Sequence, residues 1–356
     1  MRGRQQFSTH FLQYLDAAGN LDLPLPEWTR DSALLIAIYE NMMLARLLDQ
    51  KAIALQRTGQ MGTYPSLLGQ EAISVCTGLA MSQHDVLVPY YRDAPAQIIR
   101  GMSAAEIFMY WGGDERGGNL NKASRDLPIC VPIATQLTQA AGVATALKIK
   151  GEDGVVVTSC GDGATSKGDF MEALNLAGVW DLPLVFIINN NGWAISVPLA
   201  QQTRAATLAQ KALAAGIEGI QVDGNDPIAV YEAIRQAIAG ARENKPSVIE
   251  ALSYRLCDHT TADDASRYRD ADELKAHWQE EPILRFQQFL HQQQGLWNAE
   301  REKALQQHCQ QVIDAAVEAY LAVETEPNSA IIDYLHAFLP YALESQRCEI
   351  QQKSPI

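Results

Sequence analysis

Val155-Val156-Val157-Thr158-Ser159-Cys160-Gly161-Asp162-Gly163-Ala164-Thr165 sets a short apolar run directly before a polar, glycine-bearing knot. The pattern returns at Leu184-Val185-Phe186-Ile187-Ile188-Asn189-Asn190-Asn191-Gly192-Trp193. Both apolar runs have the length and composition of strands and end in turn chemistry, at 155–158 and 184–188. Between them, residues from Asp169 to Trp180 read as a helix. Asp162 and Asn191 stand 29 residues apart, room for one helix and one strand of a right-handed crossover. Consecutive parallel strands run the same way, so both knots are expected at the carboxyl edge of one sheet, where open α/β sheets bind ligands.

The alternation continues outward. An Ala-rich helix over Gln136–Lys150 leads into the first strand, and a further helix lies within 203–215. A short strand follows at Ile220-Gln221-Val222, then a helix from Pro227 to about Arg242 and a strand at 247–251. Apolar strands alternating with helices predict an α/β fold with a mostly parallel sheet and helices on both faces. Leu34, Leu35, Ile38, Met42, Leu44, Leu47 and Leu48 recur at three- and four-residue steps, a buried helix over 31–57 and core only. Residues 1–30, broken by Gly19-Asn20, Pro24 and Pro26, read as an irregular N-terminal arm. Residues 111–128 form a polar, glycine-rich loop of a length that suits a functional or mobile segment. Residues 272–326 are helical and rich in Gln, Glu and Ala. The expected organisation is an arm at 1–30, an α/β domain at 31–270 and a helical C-terminal extension at 271–356.

Composition narrows the partners. The 356 residues are 47% hydrophobic and 20% charged, which excludes disorder, collagen-like repeats and a coiled-coil rod. With 28 basic and 42 acidic residues the net charge is −14, which argues against nucleic acid and against anionic membranes while allowing one local basic pocket. The six cysteines, at 76, 130, 160, 257, 309 and 348, include no C-x-x-C pair and no zinc-finger spacing, so free thiols in a reducing cytosol are expected. The first residues lack the apolar core of a signal peptide, and no stretch reaches the roughly 18 uncharged apolar residues of a membrane span. The expectation is a soluble, cytoplasmic protein.

A carboxylate, a side-chain amide and backbone carbonyls are hard oxygen ligands, suited to Mg²⁺ or Ca²⁺ rather than zinc. Glycines let backbone N–H groups approach a phosphate, and a helix starting near Ser166 points its positive end at the same place. The two knots together therefore read as a metal and diphosphate site. A Walker A loop is excluded because Lys167 is followed by Gly168. A dinucleotide fingerprint would need glycine at Ser166, and Asp162 would repel a bare pyrophosphate.

Gly161-Asp162-Gly163 through Asn190-Asn191 resembles the thiamine diphosphate signature. With Gly69-Gln70-Glu71-Ala72, Tyr91-Arg92-Asp93, Gln139-Ala140-Ala141-Gly142 and Asp258-His259-Thr260 through Arg267-Tyr268-Arg269, the chain from about 30 to 345 resembles alpha subunits of the decarboxylating first component of 2-oxoacid dehydrogenases, above all the bacterial pyruvate dehydrogenase alpha subunits. The resemblance implies a thiamine diphosphate-binding fold with thiamine diphosphate and Mg²⁺ as cofactors. It makes the side chains of Asp162 and Asn191 and the backbone carbonyl of Trp193 the metal ligands. It assigns Gly163 and Ala164 to the diphosphate through their backbone amides, and Tyr91 and Arg92 to the same group from an opposite loop. Ile133 would sit near the aminopyrimidine, and Arg255 and His259 would complete the anion pocket. Without the resemblance, Tyr91-Arg92 would read as a surface pair, His259 as a solvated switch residue and Trp193 as packing.

The same resemblance implies a 2-oxo acid substrate, pyruvate first, with branched-chain 2-oxo acids and acetoin as alternatives. The acyl group would pass to the lipoyl domain of a dihydrolipoyl acyltransferase, with His259 as the assisting proton donor. Where relatives usually carry histidine, loop 111–128 has Asp114-Glu115-Arg116, so Arg116 joins His259 as a candidate catalytic residue for the substrate carboxylate. The pyrimidine-binding domain and its glutamate would come from a beta subunit in an α2β2 heterotetramer, leaving this chain inactive alone. A non-catalytic assembly subunit and an independent metal-dependent phosphotransferase are the other readings. Thr260, Thr261 and Ser266 lie where mitochondrial relatives are phosphorylated, a route of regulation not expected here.

Overall fold

The strands around the two polar knots are neighbours in one six-stranded sheet of the computed structural model, which describes residues 9–118, 125–292, 295–333 and 335–352. In chain order the strands are β1 (His10–Leu12), β2 (Val86–Val88), β3 (Val156–Gly161), β4 (Leu184–Asn190), the small hairpin pair β5 (Trp193–Ala194) and β6 (Val197–Pro198), then β7 (Glu218–Asp223) and β8 (Ser247–Leu252). Across the sheet the order is β1-β7-β8-β4-β3-β2, with every neighbouring pair parallel. In the β3–β4 register Gly161 faces Asn189, which brings the two knots side by side at the carboxyl edge.

The central strands are buried on both faces because helices cover both. Val157, Val185, Ile187, Val222, Ile249 and Ala251 pack against helices Ser32–Arg57, Glu71–Ala80, Pro227–Arg242 and Pro282–Gln292. Val86, Val88, Val156, Leu184, Phe186, Ile188 and Val248 pack against helices Thr135–Lys150 and Gly168–Val179. Period-two alternation sends the apolar residues of the central strands β3, β4 and β8 to one or other of these two cores, each buried aliphatic or aromatic side chain contributing about 1.5–3 kcal/mol. The expected α/β architecture and its parallel sheet are the ones observed.

Three features differ from the sequence reading. The N-terminal arm is not wholly irregular: His10–Leu12 forms an edge strand in register with Ile220, Gln221 and Val222. Its anchor is Asp226, whose Oδ2 accepts Tyr14 N at 2.6 Å and Leu15 N at 2.8 Å. Val86–Val88 forms the opposite edge of the sheet. Three-residue strands are too short to show periodicity, which is why neither is legible in the sequence. The third difference concerns the C-terminal helices. Phe286, Phe289 and Leu290 are fully buried in the core on one sheet face, and Arg285 pairs with Asp223 at 2.5 Å. Helix Ala299–Leu321 lies against helices Ser32–Arg57 and Ala104–Gly112, burying Ile313 between them. All six cysteines are free thiols. Among the described residues no helix is long and apolar enough to cross a membrane.

Candidate functional site

β3 ends at Gly161 and the chain turns through a short 3-10 helix, Asp162–Ser166, before helix Gly168–Val179 begins. This places Asp162 at the sheet edge with only 1% of its surface exposed. Its Oδ2 accepts a hydrogen bond from Gln202 Nε2 at 2.7 Å. Burial pushes the Asp162 carboxyl above the usual carboxylate range, opposed by the Gln202 amide and by the more distant Arg255 and Arg92 charges. A buried carboxylate with a single neutral side-chain donor keeps acceptor capacity that a cation can answer, so the site fits a bound metal. Gly163 must be glycine, because a Cβ there would lie 2.7 Å from the Ala194 Cβ of the small hairpin.

β4 delivers three consecutive asparagines to the same edge. Asn189 donates from Nδ2 to the Tyr90 hydroxyl at 3.0 Å, and Asn190 donates to Glu250 at 2.7 Å. Asn191 donates from Nδ2 to Gln70 Oε1 at 3.1 Å, while its Oδ1 accepts Trp193 N at 3.3 Å. Gly192 then reverses the chain with a φ of +84°, a conformation that glycine adopts without cost. The candidate metal ligands are one carboxylate, one amide oxygen and one carbonyl, a set that Mg²⁺ completes with phosphate and water. Among the described residues no group of three or more His, Cys, Asp or Glu could hold a metal ion, so a zinc-type cage is not part of the site.

Opposite this edge, Arg92 is 4% exposed and spans two loops. Its Nε donates to Ser66 O at 2.8 Å and its Nη2 to His259 O at 2.6 Å, with the Nδ1 of His259 a further 3.3 Å contact. The guanidinium lies over the Tyr91 ring, 4.8 Å from its centroid. Burial, joined by the Arg92 and Arg255 charges, pushes the His259 imidazole down to about 4, so it is neutral at neutral pH. With Nδ1 turned to an arginine, Nε2 is the nitrogen that carries the proton.

Tyr91, Arg92, Ile133, Asp162, Gly163, Ala164, Asn191, Trp193 and His259 line one cavity of about 180 Å³. Arg255 and Arg116 are not part of that lining. Arg255 is fully buried behind the Trp193–Ile195 turn, donating to Ile195 O at 2.8 Å, to the Tyr268 hydroxyl at 2.7 Å and, at 3.4 Å, to Trp193 O. It braces that turn from behind and is not in the lining of the cavity, whereas the resemblance had it complete the anion pocket with His259. Arg116 is paired with Asp114 at 2.6 Å and Glu326 at 3.0 Å and donates to Glu324 O at 2.7 Å, so its charge is answered outside the cavity. Residues 119–124 of loop 111–128 lie outside the described residues. In loop 258–270, Thr261 is tied to the segment before Ser66, its Oγ1 accepting Tyr64 N at 3.0 Å, and Ser266 donates to Asp264 at 2.6 Å.

Sequence reasoning passed over the neutral amides. Gln202 holds Asp162, Gln70 holds Asn191, and Gln136 lines the cavity while donating to Ser159 O at 2.9 Å. Each also keeps one buried amide atom without a protein partner: Gln70 Nε2, Gln136 Oε1 and Gln202 Oε1. Only Gln70 stood inside a quoted motif. The other two carry neither charge nor spacing to betray them. Asp93 is buried beneath, accepting from Tyr90 N at 3.1 Å and from the Ser159 hydroxyl, and burial pushes its carboxyl up to about 7.

Comparison with known proteins adds a family and close relatives. Residues 39–329 match the dehydrogenase E1 component family. A pyruvate dehydrogenase E1 component subunit alpha from Staphylococcus aureus (strain Mu50) is 38% identical over 347 residues, covering 96% of this chain and 92% of the relative. A protein of the same name from Staphylococcus epidermidis (strain RP62A) is 38% identical over 350 residues, again covering 96% and 92%.

Proposed function

This chain belongs to the dehydrogenase E1 component family, and from that membership we propose that it is the alpha subunit of a pyruvate dehydrogenase, decarboxylating pyruvate and passing the acetyl group to a lipoyl acceptor. The observation that carries the reading is the buried Asp162 carboxylate, without a cationic partner among its hydrogen bonds, sharing one cavity with Asn191, Arg92 and His259. Bound thiamine diphosphate with Mg²⁺ supplies the nucleophilic carbon and the electron sink that decarboxylation of a 2-oxo acid requires.

The chain's own residues bind and orient. Asp162 and Asn191 side chains and the Trp193 carbonyl hold Mg²⁺, and the backbone N–H groups of Gly163 and Ala164 donate to the diphosphate. Arg92 adds a fixed positive charge from the opposite wall, stacked on Tyr91 so that its orientation is set before ligand arrives. Ile133 offers an apolar surface to the pyrimidine. His259, neutral and with Nδ1 occupied by Arg92, offers its Nε2–H to the reacting centre as a hydrogen-bond donor and not, as the sequence reading had it, as a proton donor. Arg116 is already answered by two carboxylates, so the substrate carboxylate is left to His259 and to a beta subunit. That beta subunit, in an α2β2 assembly, contributes the pyrimidine-binding domain, and the acceptor is the lipoyl domain of a dihydrolipoyl acyltransferase. The setting is the cytoplasm.

The test is reconstitution. The chain is co-expressed with a beta subunit, and thiamine diphosphate binding and decarboxylation are measured with and without Mg²⁺. Pyruvate is expected to turn over faster than 3-methyl-2-oxobutanoate or acetoin, Asp162→Ala is expected to abolish binding, and the chain alone is expected to decarboxylate nothing. Turnover by the isolated chain, or undisturbed cofactor binding in the Asp162→Ala complex, would overturn the reading.

A further inference from the structure

Glu250 lies in β8 with none of its surface exposed, a position where a parallel sheet ordinarily carries Val or Ile. Its carboxylate is satisfied by three neutral donors: Asn190 Nδ2 at 2.7 Å, Ala209 N at 2.9 Å and Gln221 Nε2 at 3.1 Å. The register explains the meeting. Glu250 stands opposite Ile188 on β4 and Gln221 on β7, and side chains two apart share a face, so Asn190 projects beside it. Asn189, one residue earlier, faces the other way, towards Tyr90 and Ser253.

A carboxylate only accepts hydrogen bonds, whereas an amide has one end that donates and one that accepts. Glu250 therefore obliges Asn190 to present Nδ2 inward, which turns Oδ1 towards Gly192 N at 3.2 Å. With the amide reversed, two donors would confront each other at Gly192. That glycine sits between Asn191 and Trp193, and its own carbonyl accepts Leu199 N at 3.0 Å. Through Ala209, the same carboxylate also holds the segment following Gln202, the residue that holds Asp162.

We propose that Glu250 and Asn190 are a positioning pair that fixes the Asn191–Trp193 loop in its metal-binding geometry, a proposal that rests on Asp162, Asn191 and Trp193 being the Mg²⁺ site. The pair touches neither metal nor substrate. It acts by making one orientation of one amide the only one available, and so presents two ligands of the ion together.

The experiment uses the complex with the beta subunit and reads the Mg²⁺ concentration needed for half-maximal thiamine diphosphate binding, followed by calorimetry and by intrinsic tryptophan fluorescence. Glu250→Gln keeps the shape but permits both amide orientations; Asn190→Ala removes the amide. Each is expected to raise the Mg²⁺ requirement about tenfold or more, as for partners that orient metal ligands. The double variant is expected to shift no further than the larger single one, because the two act as a unit. Asp85→Asn, which disturbs a buried carboxylate directly before β2 that pairs with Arg242 and accepts Val155 N, is expected to lower the melting temperature and leave the Mg²⁺ requirement alone. Should Glu250→Gln not fold, Asn190→Ala decides by itself. Wild-type Mg²⁺ requirements in the folded variants, or additive shifts in the double, would overturn the pair. Binding to the unaltered complex that ignores Mg²⁺ would instead bring down the metal site, and this proposal with it.

Discussion

His259 holds a neutral ring because burial and two nearby guanidinium groups oppose its protonation together. Its folded value of about 4 lies below the ordinary 6.5, so between those limits the unfolded chain binds the extra proton. Stability from this residue is therefore complete above pH 6.5 and is lost as pH falls towards 4. Urea unfolding at pH 7 and pH 4.5 should show a larger drop for the unaltered chain than for His259→Asn; equal drops would contradict the neutral ring. At this scale the sequence announced chemistry but not direction. Asp162 and Asn191 were legible because their residue types and spacing carry a mechanism, whereas Tyr91 and Arg92 were reached only through the family resemblance. Arg255 was not legible, since nothing local distinguishes a guanidinium facing a cavity from one bracing the loop behind it.

Legibility among the elements followed length. Helices Ser32–Arg57, Thr135–Lys150 and Pro227–Arg242 repeat their apolar period several times and were read almost to the residue. β1 and β2 offer three residues each and are held in place by partners far along the chain. Asp226 shows how. Its Oδ1 caps helix Pro227–Arg242 through Ile228 N at 2.9 Å and Ala229 N at 3.2 Å, and its Oδ2 secures Tyr14 and Leu15 just after β1. Asp226→Ala removes a cap and strands two backbone donors, a loss of about 3 kcal/mol. The unfolding midpoint in urea should fall accordingly, and protease should cut the first residues sooner. A variant as stable as the parent would mean that the N-terminal strand is anchored elsewhere.

On the scale of the whole molecule, helix Pro282–Gln292 and one side of helix Ala299–Leu321 are part of the core. Ile283, Phe286, Phe289 and Leu290 fill the space against helices Ser32–Arg57 and Glu71–Ala80, in the same core as one face of the sheet. At about 2 kcal/mol for each buried side chain their loss rivals the 5–15 kcal/mol by which a typical protein is stable. A chain ending at Asp270 is expected to lose cooperative unfolding and its near-ultraviolet dichroism. A sharp native-like transition in that truncated chain would show the two parts to be independent. By itself the sequence determined the parallel α/β alternation and the pairing of two polar knots at one sheet edge, because helix and strand periods and crossover length are properties of contiguous residues. Only the tertiary structure decided which charges serve the cavity. Desolvation and hydrogen-bond satisfaction depend on neighbours from anywhere in the chain: Arg116 is claimed by Glu326, Arg92 is turned towards His259, and Glu250, unremarkable in its strand, sets the orientation of Asn190.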